Sequence, residues 1–118
     1  MNLETLRKTL LNKKRTTEET PFGPEALVYK VMGKMYALIA WEEDPLHLTL
    51  KCEPDFALAL RAQYPAIKAG YHMNKKHWNT VRMDGRIPNP LLEALVRHAH
   101  ALVHPVYRKS AGNFIHLP

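Results

Sequence analysis

Between Ala26 and Lys51 the sequence alternates in twos through strand-favouring residues, and only two short interruptions break the pattern. Gly33-Lys34 separates segment 26–32 from 35–41, and Glu42-Glu43-Asp44-Pro45 separates 35–41 from 46–51. A two-residue connection joins only antiparallel neighbours, because a parallel pair needs a crossover of a dozen residues or more. Glycine supplies the positive φ that such a tight turn demands. The segment therefore reads as an antiparallel meander. In its third strand Leu46, Leu48 and Leu50 share one face while His47, Thr49 and Lys51 share the other, so the sheet is expected to have a core side and a wet side.

The flanking sequence supplies helices to cover the core side. Asn2 is a suitable N-cap for a helix over 3–12, with Leu3, Leu6, Leu10 and Leu11 at helical spacing and Lys13, Lys14 and Arg15 at its negative end. The following stretch, Thr16 to Pro24, holds two prolines and a glycine and reads as loop, with Phe22 anchoring it to the core. Pro54 opens a second helix carrying Phe56, Leu58, Leu60 and Tyr64, which Pro65 terminates. His77 to Met83 reads as a strand that turns at Asp84-Gly85. Asn89-Pro90 starts the last helix, with Asn89 as its N-cap and Leu91, Leu92, Leu95, Val96, Ala99 and Leu102 as its buried stripe. The expected order is α-β-β-β-α-β-β-α, an α+β fold with an antiparallel sheet and helices packed on one face.

At 118 residues the chain fits one domain, 1–118, with mobility expected in the tail from about residue 106. Hydrophobic residues at 46% and charged residues at 24% exclude wholesale disorder. The longest apolar run, Met35 to Trp41, is seven residues against the roughly 18 of a membrane span, so no membrane partner is expected. Met1-Asn2-Leu3-Glu4 lacks the basic region and apolar stretch of a secretory signal, which points to the cytoplasm. Cys52 is the only cysteine, which excludes an intramolecular disulfide and multi-thiolate zinc sites.

Charge gives the first functional clue. The chain carries +6, and the excess is uneven. Residues 61–86 hold Arg61, Lys68, Lys75, Lys76, Arg82 and Arg86 against Asp84 alone, whereas residues 21–60 are net acidic. A basic face is the electrostatic footprint of nucleic-acid binding, although a solvated basic surface has the same composition. Within this region, residues 70–80 pack Tyr71, His72, Asn74, Lys75, Lys76, His77, Trp78 and Asn79 around one turn. The lysines can neutralise phosphates, Asn74 and Asn79 can hydrogen-bond phosphate, sugar or base edges, and Tyr71 or Trp78 can stack if exposed. The plainer reading has Trp78 in the core and both asparagines tying the turn to the backbone.

Cys52-Glu53-Pro54, Leu60-Arg61, Tyr64-Pro65, the run Gly70-Tyr71-His72-Met73-Asn74-Lys75-Lys76-His77-Trp78-Asn79-Thr80 and Asp84-Gly85 together resemble the MmcQ/YjbR-like bacterial proteins. Pro21-Phe22-Gly23, Tyr29-Lys30-Val31 and Gly33-Lys34-Met35-Tyr36 resemble the family's N-terminal half in the same order. Ala69 departs from it where proline often precedes Gly-Tyr-His, and His98-Ala99-His100 departs where Ser-Tyr is often found. The resemblance implies a frataxin-like (CyaY-like) fold, described as a double wing and proposed to bind DNA; fold alone does not establish function. Frataxin-like iron binding would use an acidic helix ridge, and Glu4 is the only carboxylate of the first helix, so no iron role is expected.

Enzyme motifs are missing: the sequence has no Gly-rich phosphate loop, Gly-x-Ser-x-Gly, His-Glu-x-x-His or zinc-deaminase pattern. Cys52 precedes a helix N-terminus, where a dipole favours thiolate, but its expected role is structural. His100 and His104 share a helical face without a specified third ligand, so neither a metal nor a cofactor is expected. The leading expectation is a non-catalytic DNA-binding protein of weak sequence selectivity. Lys75, Lys76 and Arg82 would supply charge, Asn74 and His77 hydrogen bonds, and Lys68 and Arg86 an extension of the path. The alternatives are a module that recognises an acidic protein and an enzyme or binder for a small anion using His72 or His77. Oligomeric state is left open.

Overall fold

The computed structural model describes residues 1–70 and 73–104. In chain order these form α1 (Leu3–Leu11), β1 (Thr16–Glu19), β2 (Ala26–Val31), β3 (Lys34–Ala40), β4 (His47–Lys51), α2 (Pro54–Gln63), β5 (Ile67–Ala69), β6 (Trp78–Arg82) and α3 (Asn89–Val103). The strands make one sheet in the order β1-β2-β3-β4-β6-β5, every neighbouring pair antiparallel. The expected α+β architecture is present, with one strand more than the sequence pattern gives. The tail from 106, expected to be mobile, lies outside the described residues, as do Tyr71 and His72.

Leu6 and Leu10 of α1, Ala57 and Leu60 of α2, and Leu92, Leu95, Val96 and Ala99 of α3 belong to a single core cluster with Tyr29, Ile39, Leu48 and Val81 of the strands. Because side chains alternate along a strand, all three helices therefore lie against the same face of the sheet. Asn2 caps α1 by accepting the Thr5 N–H at 2.9 Å. Glu53 caps α2 by accepting from Asp55 and Phe56 at 3.1 and 2.9 Å. Its carboxylate is held below the usual range by those two backbone donors. At α3 Pro88 takes the cap position without a side-chain bond, and Asn89, read as the cap, is instead the first helical residue.

Three local readings are corrected. Thr16–Glu19, read as loop, pairs with β2 from Thr16↔Val31 to Glu19↔Val28. An edge strand of threonines and glutamates carries no apolar alternation, so pattern could not reveal it. Side chains hold it down instead: Glu18 receives Arg7 of α1 at 2.8 and 3.0 Å and the Tyr29 hydroxyl. Phe22 does not anchor the loop, being 62% exposed; the Trp41 indole N–H does so by donating to the Pro24 carbonyl at 2.8 Å. Thr49 stands on the face opposite Leu48 and Leu50, as read, but is buried there rather than wet and shares a 2.8 Å hydroxyl hydrogen bond with Thr80.

A bulge fits β3 to the core. Tyr29 pairs with Ala37 and Lys30 with Met35, so Tyr36 is the extra residue. Both Tyr36 and Ala37 consequently turn into the core. The buried Tyr36 hydroxyl lies 2.9 Å from the Thr16 hydroxyl and donates to the Leu10 carbonyl at 3.2 Å, joining β3 to β1 and to the end of α1. Burial pushes its pKa up to about 12. Tyr36→Phe is expected to cost about 1–2 kcal/mol, because it removes the hydroxyl that bonds both Thr16 and the Leu10 carbonyl, which keeps the Lys13 N–H. Urea denaturation checks this, and an unchanged midpoint would contradict the role given to the hydroxyl.

Candidate nucleic-acid interface

The basic turn is built by a close approach of β5 to β6. The Gly70 N–H donates to the Trp78 carbonyl at 2.8 Å, and a Cβ at residue 70 would lie 2.6 Å from the Trp78 Cβ. Only glycine fits there. Beyond it Asn74 shapes the turn, its Oδ1 accepting from the Lys76 and His77 N–H groups at 2.8 and 3.3 Å. The His77 carbonyl accepts the Cys52 N–H at 2.8 Å, and Arg61 of α2 donates to the Lys75 carbonyl at 2.9 Å. The turn is thus tied to β4 and to α2, and Lys75, Lys76 and His77 are left exposed.

Trp78 is buried, 8% exposed, yet stands outside the core cluster. Its neighbour Asn79 faces the helices, where its side-chain amide donates to the Ala57 carbonyl at 3.3 Å. Alternation therefore turns Trp78 to the helix-free face, where it pairs with Lys51, whose ammonium lies 5.4 Å from the ring centroid. Lys51 is a contributor that sequence reasoning missed, because only the β4–β6 register brings it onto Trp78.

The seven residues singled out by sequence divide into groups. Lys75, Lys76 and His77 sit together in the turn, and exposed Lys68 stands on edge strand β5 opposite Thr80. Lys68, Lys75 and Lys76 make no ion pair among the described residues. Asn74 belongs to the same turn, but its oxygen is committed to the backbone. Arg82 ends β6 at the opposite end of the strand, roughly 13 Å from Trp78 at about 3.3 Å per residue. It and Arg86 converge on Asp84, with Nε and Nη2 of Arg86 at 2.9 and 2.7 Å and Nε of Arg82 at 3.9 Å. Their hydrogen bonds and charge hold the Asp84 carboxyl below its usual range, Arg86 contributing most. Of the seven, the cations without an acidic partner among the described residues are Lys68, Lys75 and Lys76, away from the Arg82 end of β6.

The structure offers little to nucleophilic chemistry. Cys52 is buried and its thiol is pushed up to about 12, chiefly by burial, so it stays protonated. His98 of α3 accepts the Glu53 N–H on Nε2 at 3.1 Å, which leaves Nδ1 carrying the proton of the neutral ring. That donor and the Asn79 Oδ1 acceptor are both buried without a protein partner among the described residues. Both residues line one small, largely apolar cavity of about 10 Å³ beside Cys52. His100 and His104 meet on one helical face as their spacing predicts, ring centroids 5.2 Å apart and planes inclined at 46°, but the His100 Nε2 donates to the Lys14 carbonyl at 2.8 Å. Among the described residues no three His, Cys, Asp or Glu side chains gather where a metal could sit. No helix of the described residues is long and apolar enough to cross a membrane.

Comparison with known proteins gives a consistent relationship. The YjbR family model matches residues 11–102. The uncharacterised Escherichia coli O157:H7 protein YbdF is 41% identical over 83 residues, covering 70% of this chain and 68% of YbdF. The uncharacterised YjbR of Escherichia coli K12 is 33% identical over 72 residues, so the match spans 61% of each chain, less than two thirds of that relative's length. Among solved structures, Deinococcus radiodurans DR2400, with domain DUF419, superimposes with a TM-score of 0.82 at 39% identity, over 99% of this chain and 89% of its own. A Pseudomonas syringae protein gives 0.76 at 27% identity, over 88% of this chain and 100% of its own.

Gly70→Ala is expected to destabilise the protein by about 1–3 kcal/mol, since the added methyl meets the fixed stem of Trp78. Urea unfolding measures the loss, and amide exchange should locate it in β5 and β6. A separate expectation concerns pH. Burial holds His98 and His100 below the usual histidine value of 6.5. The unfolded chain therefore takes up protons first as pH falls, so their contribution is complete above about 6.5 and is lost below it. The urea midpoint should fall between pH 7.5 and pH 5.5, and a constant midpoint would contradict it.

Proposed function

The chain belongs to the YjbR family, and from that premise we propose that it is a non-catalytic cytoplasmic protein that contacts the sugar-phosphate backbone of DNA through the basic turn and edge strand β5. The observation that carries the reading is the set of exposed cations Lys68, Lys75 and Lys76, gathered at one sheet edge without an acidic partner among the described residues. His77 adds an exposed donor beside them. Asn74 serves by holding the turn, and Trp78 by supporting it from beneath. Arg82 and Arg86 share Asp84 and form a weaker extension of the path. Cations of this kind read charge and spacing rather than base sequence, so binding is weakly selective and driven largely by counterion release.

Fluorescence anisotropy of a labelled random-sequence duplex tests this across a salt series. With three lysines on phosphates, the logarithmic affinity should fall with a slope of about −3 against the logarithm of salt. Lys75→Ala with Lys76→Ala should remove about two units of that slope. Asp84→Asn, which releases two guanidinium groups, should tighten binding several-fold. No binding at low salt would overturn the reading and favour recognition of an acidic protein by the same lysines. That alternative predicts capture that survives nuclease treatment.

A further inference from the structure

The face of the sheet that no helix of the described residues covers also carries a groove of about 670 Å³, separate from the basic edge. Its apolar lining comes from Ala26, Met35, Leu38 and Ala40 of β2 and β3, with Phe22 and Met73 at its margins. The Thr49–Thr80 hydroxyl pair closes the side toward β6. Phe22 is 62% exposed beside it, an apolar ring held in water by a loop whose end is tied down through Trp41. The volume lies in the range of small-molecule sites, about 300–1,000 Å³, and the mixture of apolar lining with a few polar groups is what such sites show.

Charge identifies the occupant. Glu25, Glu42 and Glu43 stand on the lining, and among the described residues no lysine or arginine does, in a chain whose net charge is +6. His47, with Nδ1 3.8 Å from Glu43, is the lining side chain able to carry positive charge. The groove thus reverses the sign of the whole molecule at one apolar place. We propose that it binds a small amphiphilic cation, an organic amine whose apolar body lies against Leu38, Met35 and Phe22 while its ammonium meets the Glu25, Glu42 and Glu43 carboxylates. The apolar contact supplies the affinity, and the carboxylates choose the sign of the head group.

Octylamine and octanoate, both below their aggregation concentrations, are probes of equal chain length and opposite charge. Titration of ¹⁵N-labelled protein at pH 7.5 should shift the amides of Leu38, Ala40, Thr49 and Thr80 with octylamine, at an affinity at least tenfold above that for octanoate. Net charge alone favours the anion, so this preference cannot arise from non-specific attraction. Glu42→Gln with Glu43→Gln, both exposed and outside strands, should reduce the preference to threefold or less, weakening octylamine and strengthening octanoate. Phe22→Ala should weaken both probes. Octanoate binding as tightly as octylamine, shifts confined to other surfaces, or no shift at millimolar octylamine would each overturn the proposal.

Discussion

A six-stranded sheet has two faces, and in this chain the apolar residues that the helices can cover all project to one of them. Leu6, Leu10, Ala57, Leu60, Leu92, Leu95 and Val96 meet Tyr29, Ile39, Leu48 and Val81 in a single cluster. That burial sets the rest of the molecule. It commits all three helices to one side, which leaves Trp78, Lys51, Lys68 and the Thr49–Thr80 pair on a sheet surface that must be finished by loops and by its own side chains. Both candidate sites lie on or beside that surface because no helix of the described residues covers it.

The polar groups drawn into the interior follow from the same constraint. Tyr29 and Tyr36 bring hydroxyls to the end of the core near α1, where Glu18, Thr16 and the Leu10 carbonyl receive them. The guanidinium of Arg7 completes the arrangement around Glu18, and its hydrogen bonds together with that of Tyr29 hold the carboxyl below its usual range against the opposing effect of burial. At the other end His98 and Asn79, which line a small cavity, leave one donor and one acceptor buried without a partner among the described residues. Polar satisfaction is therefore uneven across the core, complete around the Tyr36 hydroxyl and incomplete, among the described residues, around His98 and Asn79.

Much of this was legible in the sequence. The meander from Ala26 to Lys51, the helices opened by Asn2 and Pro54, and the stripe of α3 rest on periodicity and capping, which are local properties of the chain. β1 was not legible, because Thr16 to Glu19 is stabilised by partners far along the chain rather than by its own pattern. The candidate site divides in the same way. Composition identified Lys75 and Lys76, but the commitment of Asn74 to its own turn, the sharing of Asp84 by two arginines and the placing of Lys51 over Trp78 depend on register and on side-chain direction. The acidic lining of the groove draws on residues 25, 42 and 43, which one-dimensional charge counting saw only as a mildly acidic stretch.

The order of strands puts those two charged regions side by side. The acidic lining belongs to the loops around β2, β3 and β4, while Lys68, Lys75 and Lys76, without an ion pair among the described residues, belong to β5 and to the turn before β6, at the far edge of the same sheet. The uncovered face consequently has a lateral dipole, positive at one edge and negative across its middle. An approaching polyanion experiences a torque as well as an attraction, which turns the β5 edge toward it and the groove away before any contact forms. The molecule would arrive already oriented, with its groove open to solvent.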